Sequence, residues 1–145
     1  MTKRVLIFSP EVKDQEEITV VVKGYFLKNF GNYLSQIEIQ RYSALNEPAT
    51  KDQIGHWESR EILAVMDRRL CSQKNRFKFI KETPYYKALK ASYEMSLALC
   101  KKKNIPCVIY QGEIVKGEEE KLITKIRNLK EQIKGRLEAK LETNF

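Results

Sequence analysis

The chain has 145 residues, of which 42% are apolar and 32% are charged, with a formal net charge of +8. This composition excludes an intrinsically disordered chain, which lacks the apolar and aromatic side chains that form a core. The length is that of one domain able to bury a core without disulfides or a structural metal. We therefore expect a single domain over residues 1–145.

The cysteines and the N-terminal residues indicate the cellular location expected for the protein. Cys71, Cys100 and Cys107 never occur as C-x-x-C, and the chain has one His, so neither a closed set of disulfides nor a metal site is expected. The apolar run over residues 5–8 is too short for a signal peptide or a membrane span. We expect a reduced, soluble, cytoplasmic protein without a membrane partner.

The first third of the chain predicts strand, helix and strand. Residues 4–9 form a compact apolar run that ends at Pro10, which cannot continue a central ladder. Apolar positions recur at helical spacing over residues 14–34, although the β-branched run over residues 18–22 could instead form a strand. Residues 36–40 alternate as a strand does.

The middle of the chain begins with a loop and then a capping box. Thr50 and Gln53 stand at the spacing at which each side chain satisfies a backbone N–H of the other residue. The apolar pattern that follows predicts a helix over residues 51–71. Residues 76–81, in which cations alternate with Phe77 and Phe79, then predict the third strand.

The last part of the chain predicts helix, strand and helix. Thr83 before Pro84 is typical of a helix start, and the helical spacing continues to about residue 103. Residues 106–110 are almost continuously apolar, as in a strand buried on both faces of a parallel sheet. Residues 118–141 predict one long C-terminal helix.

The predicted order of these elements is βαβαβαβα. Joined by right-handed crossovers, it gives an α/β fold, a three-layer doubly wound parallel sheet of about four strands. Ligands of such sheets bind outside the carboxyl ends of the strands. Ser9 and Pro10 follow the first strand and are therefore candidate binding residues. No glycine-rich phosphate loop occurs there, so neither a classical dinucleotide site nor a bound cofactor is expected.

Two parts of the chain are similar to a known pattern. The segment over residues 88–110 carries Glu94 on a helix before an apolar strand, and the first strand is followed by Ser9, Pro10 and Asp14. Both resemble TIR-like domains and nucleoside 2-deoxyribosyltransferase-like proteins. The resemblance implies cleavage of the N-glycosidic bond of NAD or a nucleoside, with Glu94 as catalytic carboxylate and Ser9 contacting ribose or phosphate. The alternative is that Glu94 is a solvated helix residue.

A basic segment indicates a second function. Residues 68–103 hold eleven Lys or Arg and two Glu, a formal +9, whereas the whole chain holds +8. Concentrated positive charge attracts phosphate-bearing partners, and cations beside aromatic residues suit a nucleic-acid strand. Cations at a helix end can also serve only to complement its dipole. The candidate nucleic-acid-binding residues are Arg68, Arg69, Lys74, Arg76, Lys78, Lys101, Lys102 and Lys103.

The predicted last helix suggests a third function, that of a non-enzymatic homodimeric adaptor. About 24 residues at ~1.5 Å each make a helix of ~36 Å, longer than a short four-strand sheet needs covered. Its distal apolar residues Ile133, Leu137 and Leu141 therefore need a partner surface. That surface is either a second chain, which would give a homodimer, or the same domain if the helix folds back.

Overall fold

The computed structural model describes residues 3–42, 49–71 and 84–139. Its centre is a parallel sheet of four strands in the order β2-β1-β3-β4. The strands are β1 (Lys3–Phe8), β2 (Ile37–Tyr42), β3 (Leu63–Asp67) and β4 (Cys107–Tyr110). The predicted α/β fold with a parallel sheet of four strands is therefore confirmed.

Five α-helices cover the two faces of the sheet in the described part of the chain. They are α1 (Val12–Phe30), α2 (Lys51–Gly55), α3 (Pro84–Lys102), α4 (Glu119–Arg127) and α5 (Lys130–Glu138). One core cluster joins α1, α4 and α5 to one face, and the other joins α2 and α3 to the opposite face. The result is the expected three layers. None of these helices combines the length and the apolar character that crossing a bilayer requires.

The β-branched run over residues 18–22 is helical, because α1 buries Ile18 and Val22 against the sheet. A 3-10 helix, Gly31–Gln36, leads from α1 into β2. Tertiary packing of an amphipathic face thus overrides the weak preference of β-branched residues for strands.

The prediction of one helix over residues 51–71 is wrong after Gly55. The capping box of Thr50 and Gln53 is present, but α2 ends at Gly55. Residues 63–67 instead form β3, every residue of which is buried, with Leu63 beside Val5 of β1. A short, fully buried strand has no alternation, so its apolar run also fits a helical face. The strand predicted over residues 76–81 lies outside the described residues, and the third strand of this sheet is β3.

The C-terminal helical segment is present, but it is not one continuous helix. It divides at Asn128 and Leu129 into α4 and α5. Ile133 and Leu137 are 0% and 2% exposed within the core of their own domain, so the segment folds back. These two side chains therefore need no second chain to cover them, and Leu141 lies outside the described residues.

Lys3 holds the returning helix in place. Its Nζ donates hydrogen bonds to the carbonyls of Arg136, Leu137 and Ala139 at 2.9, 2.6 and 2.8 Å. A buried ammonium in this position satisfies carbonyls that the last turn of a helix leaves without partners. The contact joins the start of β1 to the end of α5.

Candidate functional site

The topology defines a crevice between β1 and β3. These strands are neighbours, but α1 after β1 packs on one face of the sheet and α3 after β3 packs on the other. Such a divergence is the switch point at which parallel α/β sheets bind ligands. Ser9 follows β1, and its hydroxyl donates to Oδ2 of Asp67, the last residue of β3, at 3.1 Å.

Arg69 joins three parts of the chain at this crevice. Its Nε donates to Oδ1 of Asp67 at 3.0 Å, and its terminal nitrogen lies 2.5 Å from both Asp67 Oδ2 and Asp14 Oδ2. Asp14 belongs to the first turn of α1. Asp14, Asp67 and Arg69 are 2%, 0% and 7% exposed. We call Ser9, Asp14, Asp67 and Arg69 the switch-point cluster.

Burial and pairing act in opposite directions on these charges. Loss of water raises the pKa of Asp67 above its ordinary value, although hydrogen bonds and charge from Arg69 oppose the increase. Loss of water alone would lower the pKa of Arg69, but the carboxylates of Asp67 and Asp14 raise it overall. Arg69 is therefore permanently charged, and the cluster carries one negative charge when both carboxyls are ionised.

The carboxyl end of β4 lies next to Arg69. The guanidinium carbon of Arg69 lies 5.3 Å from the ring centroid of Tyr110, within cation–π range. Gly112 has a φ of +76°, and a Cβ there would stand 3.7 Å from Cδ of Arg69. The buried hydroxyl of Tyr110 has no hydrogen-bond partner in the described part of the chain. A buried polar atom of this kind is rare in native structures.

An open cleft of about 380 Å³ lies beside the cluster, along the free edge of β4. Lys125 crosses it, donating to the carbonyl of Ile109 at 2.9 Å and to the carboxylate of Glu113. Burial would raise the pKa of Glu113, but Lys125 and backbone N–H groups, that of Gln111 among them, together lower it below its ordinary value. The exposed Arg68 also lines the cleft.

The structure brings some of the predicted site residues together. Ser9 and Pro10 are buried at the crevice, as the position of the first loop predicts. Glu94 is exposed in the middle of α3, and it does not line the cleft beside β4. The carboxylate that closes a strand at the crevice is Asp67.

The candidate basic residues that the structure describes do not form one patch. Arg69 is buried in its ion pairs, and Lys103 donates to the carbonyl of Trp57 at 2.5 Å. Arg68 follows β3, whereas the exposed Lys101 and Lys102 end α3, a helix of ~28 Å at ~1.5 Å per residue. The other candidates lie outside the described residues, namely Lys74, Arg76 and Lys78.

Sequence reasoning missed three residues of the site. Asp67 falls in the segment predicted as a helix, Tyr110 is the last residue of the strand predicted over residues 106–110, and Glu113 follows that strand without being chosen as a site residue. The signal for Asp67 was an acidic residue directly after an apolar run of five residues, Ile62 to Met66. In a parallel sheet, that pattern places a carboxylate at the ligand-binding edge.

No protein-family model, no curated protein and no solved structure matches the chain. The resemblance to TIR-like and nucleoside 2-deoxyribosyltransferase-like proteins therefore stays a prediction, and the case for a function depends on the geometry of the crevice.

Proposed function

We propose that the chain binds a nucleoside, or the nicotinamide riboside part of NAD, at the crevice between β1 and β3 and cleaves its N-glycosidic bond. The switch-point cluster is the observation that supports this proposal most directly. It places two carboxylates and a hydroxyl on the edge of the sheet where doubly wound folds bind ligands.

The chemistry of the cluster suits a sugar better than a polyphosphate. Carboxylates accept hydrogen bonds from ribose hydroxyls, and a nearby carboxylate stabilises an oxocarbenium-like centre at the anomeric carbon. The N-terminus of a helix commonly attracts phosphate. Here Glu11 occupies the N-cap of α1 and Asp14 its first turn, so phosphate is repelled. The phosphates of NAD would instead extend toward Arg68 and Lys125 in the neighbouring cleft.

Asp67 is the carboxylate that the proposal places nearest the reacting carbon. Desolvation raises its pKa and Arg69 keeps it oriented, so the carboxylate is held in one position with its charge poorly solvated. The free energy of such a group falls when positive charge develops beside it, so it stabilises the transition state. Glu94, which the resemblance selects, enters the same test because it could approach a ligand only from the exposed surface of α3.

Release of free base tests the proposal. The protein is incubated with NAD and with a panel of ribonucleosides and deoxyribonucleosides, and released bases are quantified by chromatography. We expect Asp67→Asn to abolish release, Ser9→Ala to reduce it, and the exposed Asp52→Asn in α2 to leave it unchanged. Thermal midpoints of all variants separate lost chemistry from lost folding. Ser9→Ala is informative even if Asp67→Asn fails to fold.

Three results decide the matter. Release that survives Asp67→Asn but not Glu94→Gln would transfer the role to Glu94. Release that neither change affects would remove both carboxylates from the mechanism. Wild-type protein that releases no base from any compound, and whose thermal midpoint no compound raises, would contradict the whole proposal.

A second candidate function is nucleic-acid binding, which the outer face of α3 favours. Lys87 and Lys90 are exposed and three residues apart, so they lie on one face of the helix, and Lys101 and Lys102 extend the exposed charge. Electrophoretic mobility shifts at low and high salt test it, because each neutralised phosphate releases a counterion. Lys87→Ala with Lys90→Ala should weaken binding to all sequences alike.

A further inference from the structure

A groove on the other edge of the sheet has the dimensions of a ligand site. It lies between α1 and the edge strand β2 and has a volume of about 370 Å³, within the ~300–1,000 Å³ typical of ligand pockets. The side chains that line it are Val5, Thr19, Val22, Lys23, Phe26, Leu34, Ile37, Ile39 and Arg41. We call this cavity the β2 groove. It is separate from the switch-point cluster.

The β2 groove has a polar end and an apolar end. Arg41 is near the carboxyl end of β2, whereas Leu34 and Ile37 are at its start. Because α1 runs back along the sheet, Thr19 lies toward the same end as Arg41, and Phe26 lies toward the apolar end. Lys23 is between Thr19 and Phe26 on the helix. Arg41 and Thr19 thus mark one end of an apolar channel, and Lys23 lies about midway along it.

The two cations of the groove have no acidic partner in the described part of the chain. Lys23 and Arg41 are exposed and form no ion pair there, in contrast to the paired Arg4 and Arg69. A cation that borders apolar surface and lacks a partner favours an anionic ligand, because a charge-assisted hydrogen bond is stronger than a neutral one.

Apolar surface continues from the groove onto the outside of α1. Val20 and Leu27 are 70% and 62% exposed, three and four residues from Lys23 on neighbouring positions of the helix. Exposed apolar surface that is rimmed by polar residues and continues into a groove is typical of a binding surface. Such a surface favours an amphipathic ligand over a small inorganic anion.

We propose that the β2 groove binds an amphipathic monoanion, an alkyl or aryl carboxylate. Its apolar part packs on Phe26, Ile37 and Ile39, and its carboxylate is held by Arg41 and Lys23. This inference is independent of the function proposed for the crevice, since no residue belongs to both sites.

Calorimetric titration with sodium octanoate tests the inference, with octyltrimethylammonium and 1-octanol as probes of the same chain length. We expect one octanoate per chain, no binding of the cationic probe, and weaker binding of the alcohol. Arg41→Gln and Lys23→Gln should each raise the dissociation constant about tenfold, as loss of a charge-assisted hydrogen bond does. The exposed Lys134→Gln in α5 is the matched control and should change nothing.

Ile39→Glu supplies a second test, because it places a carboxylate inside the groove and should abolish octanoate binding. Backbone amide shifts should then move in residues 19–26 and 37–41 of the wild-type protein only. Equal binding of the three probes, or octanoate binding that neither Arg41→Gln nor Lys23→Gln weakens, would overturn the inference.

Two other occupants give different results. Binding to phosphatidylglycerol vesicles without binding of free octanoate would show a membrane surface as the ligand. A mass of two chains in light scattering that Leu27→Gln reduces to one would show a second copy of the chain in the groove. Either result would contradict the carboxylate site.

Discussion

Asp67 is the least exposed charged residue of the switch-point cluster. It is fully buried, and its carboxylate accepts hydrogen bonds from the hydroxyl of Ser9 and from both the backbone N–H and the guanidinium of Arg69. Removing the negative charge leaves a buried guanidinium with Asp14 as its one remaining carboxylate among the described residues. The cost of such a change comes mainly from the cation that is left behind.

Asp67→Asn should therefore destabilise the fold by about 3 kcal/mol, the range for a buried ion pair that loses one member. Urea unfolding measures this free energy. Glu94→Gln is the matched control, because the same chemical change at an exposed position should cost less than about 0.5 kcal/mol. Equal effects of the two changes would show that the cluster is not a source of stability.

Glu113 predicts a pH dependence. Its pKa in the folded protein is below the ordinary value of 4.5, so its stabilising effect is present above pH 4.5 and is lost as pH falls through the lower folded value. Glu113→Gln should then reduce the urea midpoint at neutral pH and have a smaller effect at acid pH, because the wild-type carboxyl becomes protonated as the pH falls below 4.5. A difference between wild type and variant that is the same at both pH values would contradict this assignment.

Among the elements, α5 distinguishes a folded-back tail from a dimer interface. Ile133 is fully buried in the core of its own domain. Ile133→Ala should cost about 2–5 kcal/mol, the range for a large apolar side chain truncated in a core. The wild-type protein should have the mass of one chain, 17.0 kDa, in light scattering. A mass of two chains that Ile133→Ala converts to one without loss of stability would restore the dimer.

The helices and strands differ in how far the sequence alone predicts them. The helix start at Thr50 and the strands β1, β2 and β4 follow from capping chemistry and from apolar patterns bounded by loops. β3 was missed because a strand buried on both faces loses the alternation that identifies strands. The site depended on that strand, since Asp67 reaches the crevice only as its last residue.

The break between α4 and α5 was missed for a different reason. The apolar spacing over residues 122–137 continues without interruption, so no local signal ends the helix at Asn128. The position of α5 after the break depends in part on Lys3, whose hydrogen bonds to carbonyls at the end of α5 join residues more than 130 positions apart. Contacts of this range cannot be read from a periodic pattern.

For the molecule as a whole, charge and binding sites are distributed unevenly. The chain carries +8, but the crevice holds Asp14 and Asp67 against Arg69, and Glu113 is paired with Lys125. Cations without an acidic partner among the described residues lie elsewhere, on α3 and at the β2 groove. The excess positive charge therefore does not define the crevice, where a neutral nucleoside should bind with little dependence on salt.

Salt dependence separates the two candidate functions. Binding of a neutral nucleoside at the crevice should change by less than about twofold between 50 and 200 mM salt, whereas nucleic-acid binding through several lysines should fall by orders of magnitude. Thermal-shift and mobility-shift titrations at both salt concentrations measure the difference. Nucleoside binding that disappears at the higher concentration would assign it to the exposed lysines.

An NMR titration of the labelled protein with the nucleoside panel and NAD tests whether the crevice between β1 and β3 is the ligand site. We predict saturable shifts of the backbone amides of residue 9 and of residues 11–14, 67–69 and 110–113, and none around Glu94. Shifts confined to α3 or to the β2 groove, or no shifts at millimolar ligand, would contradict it.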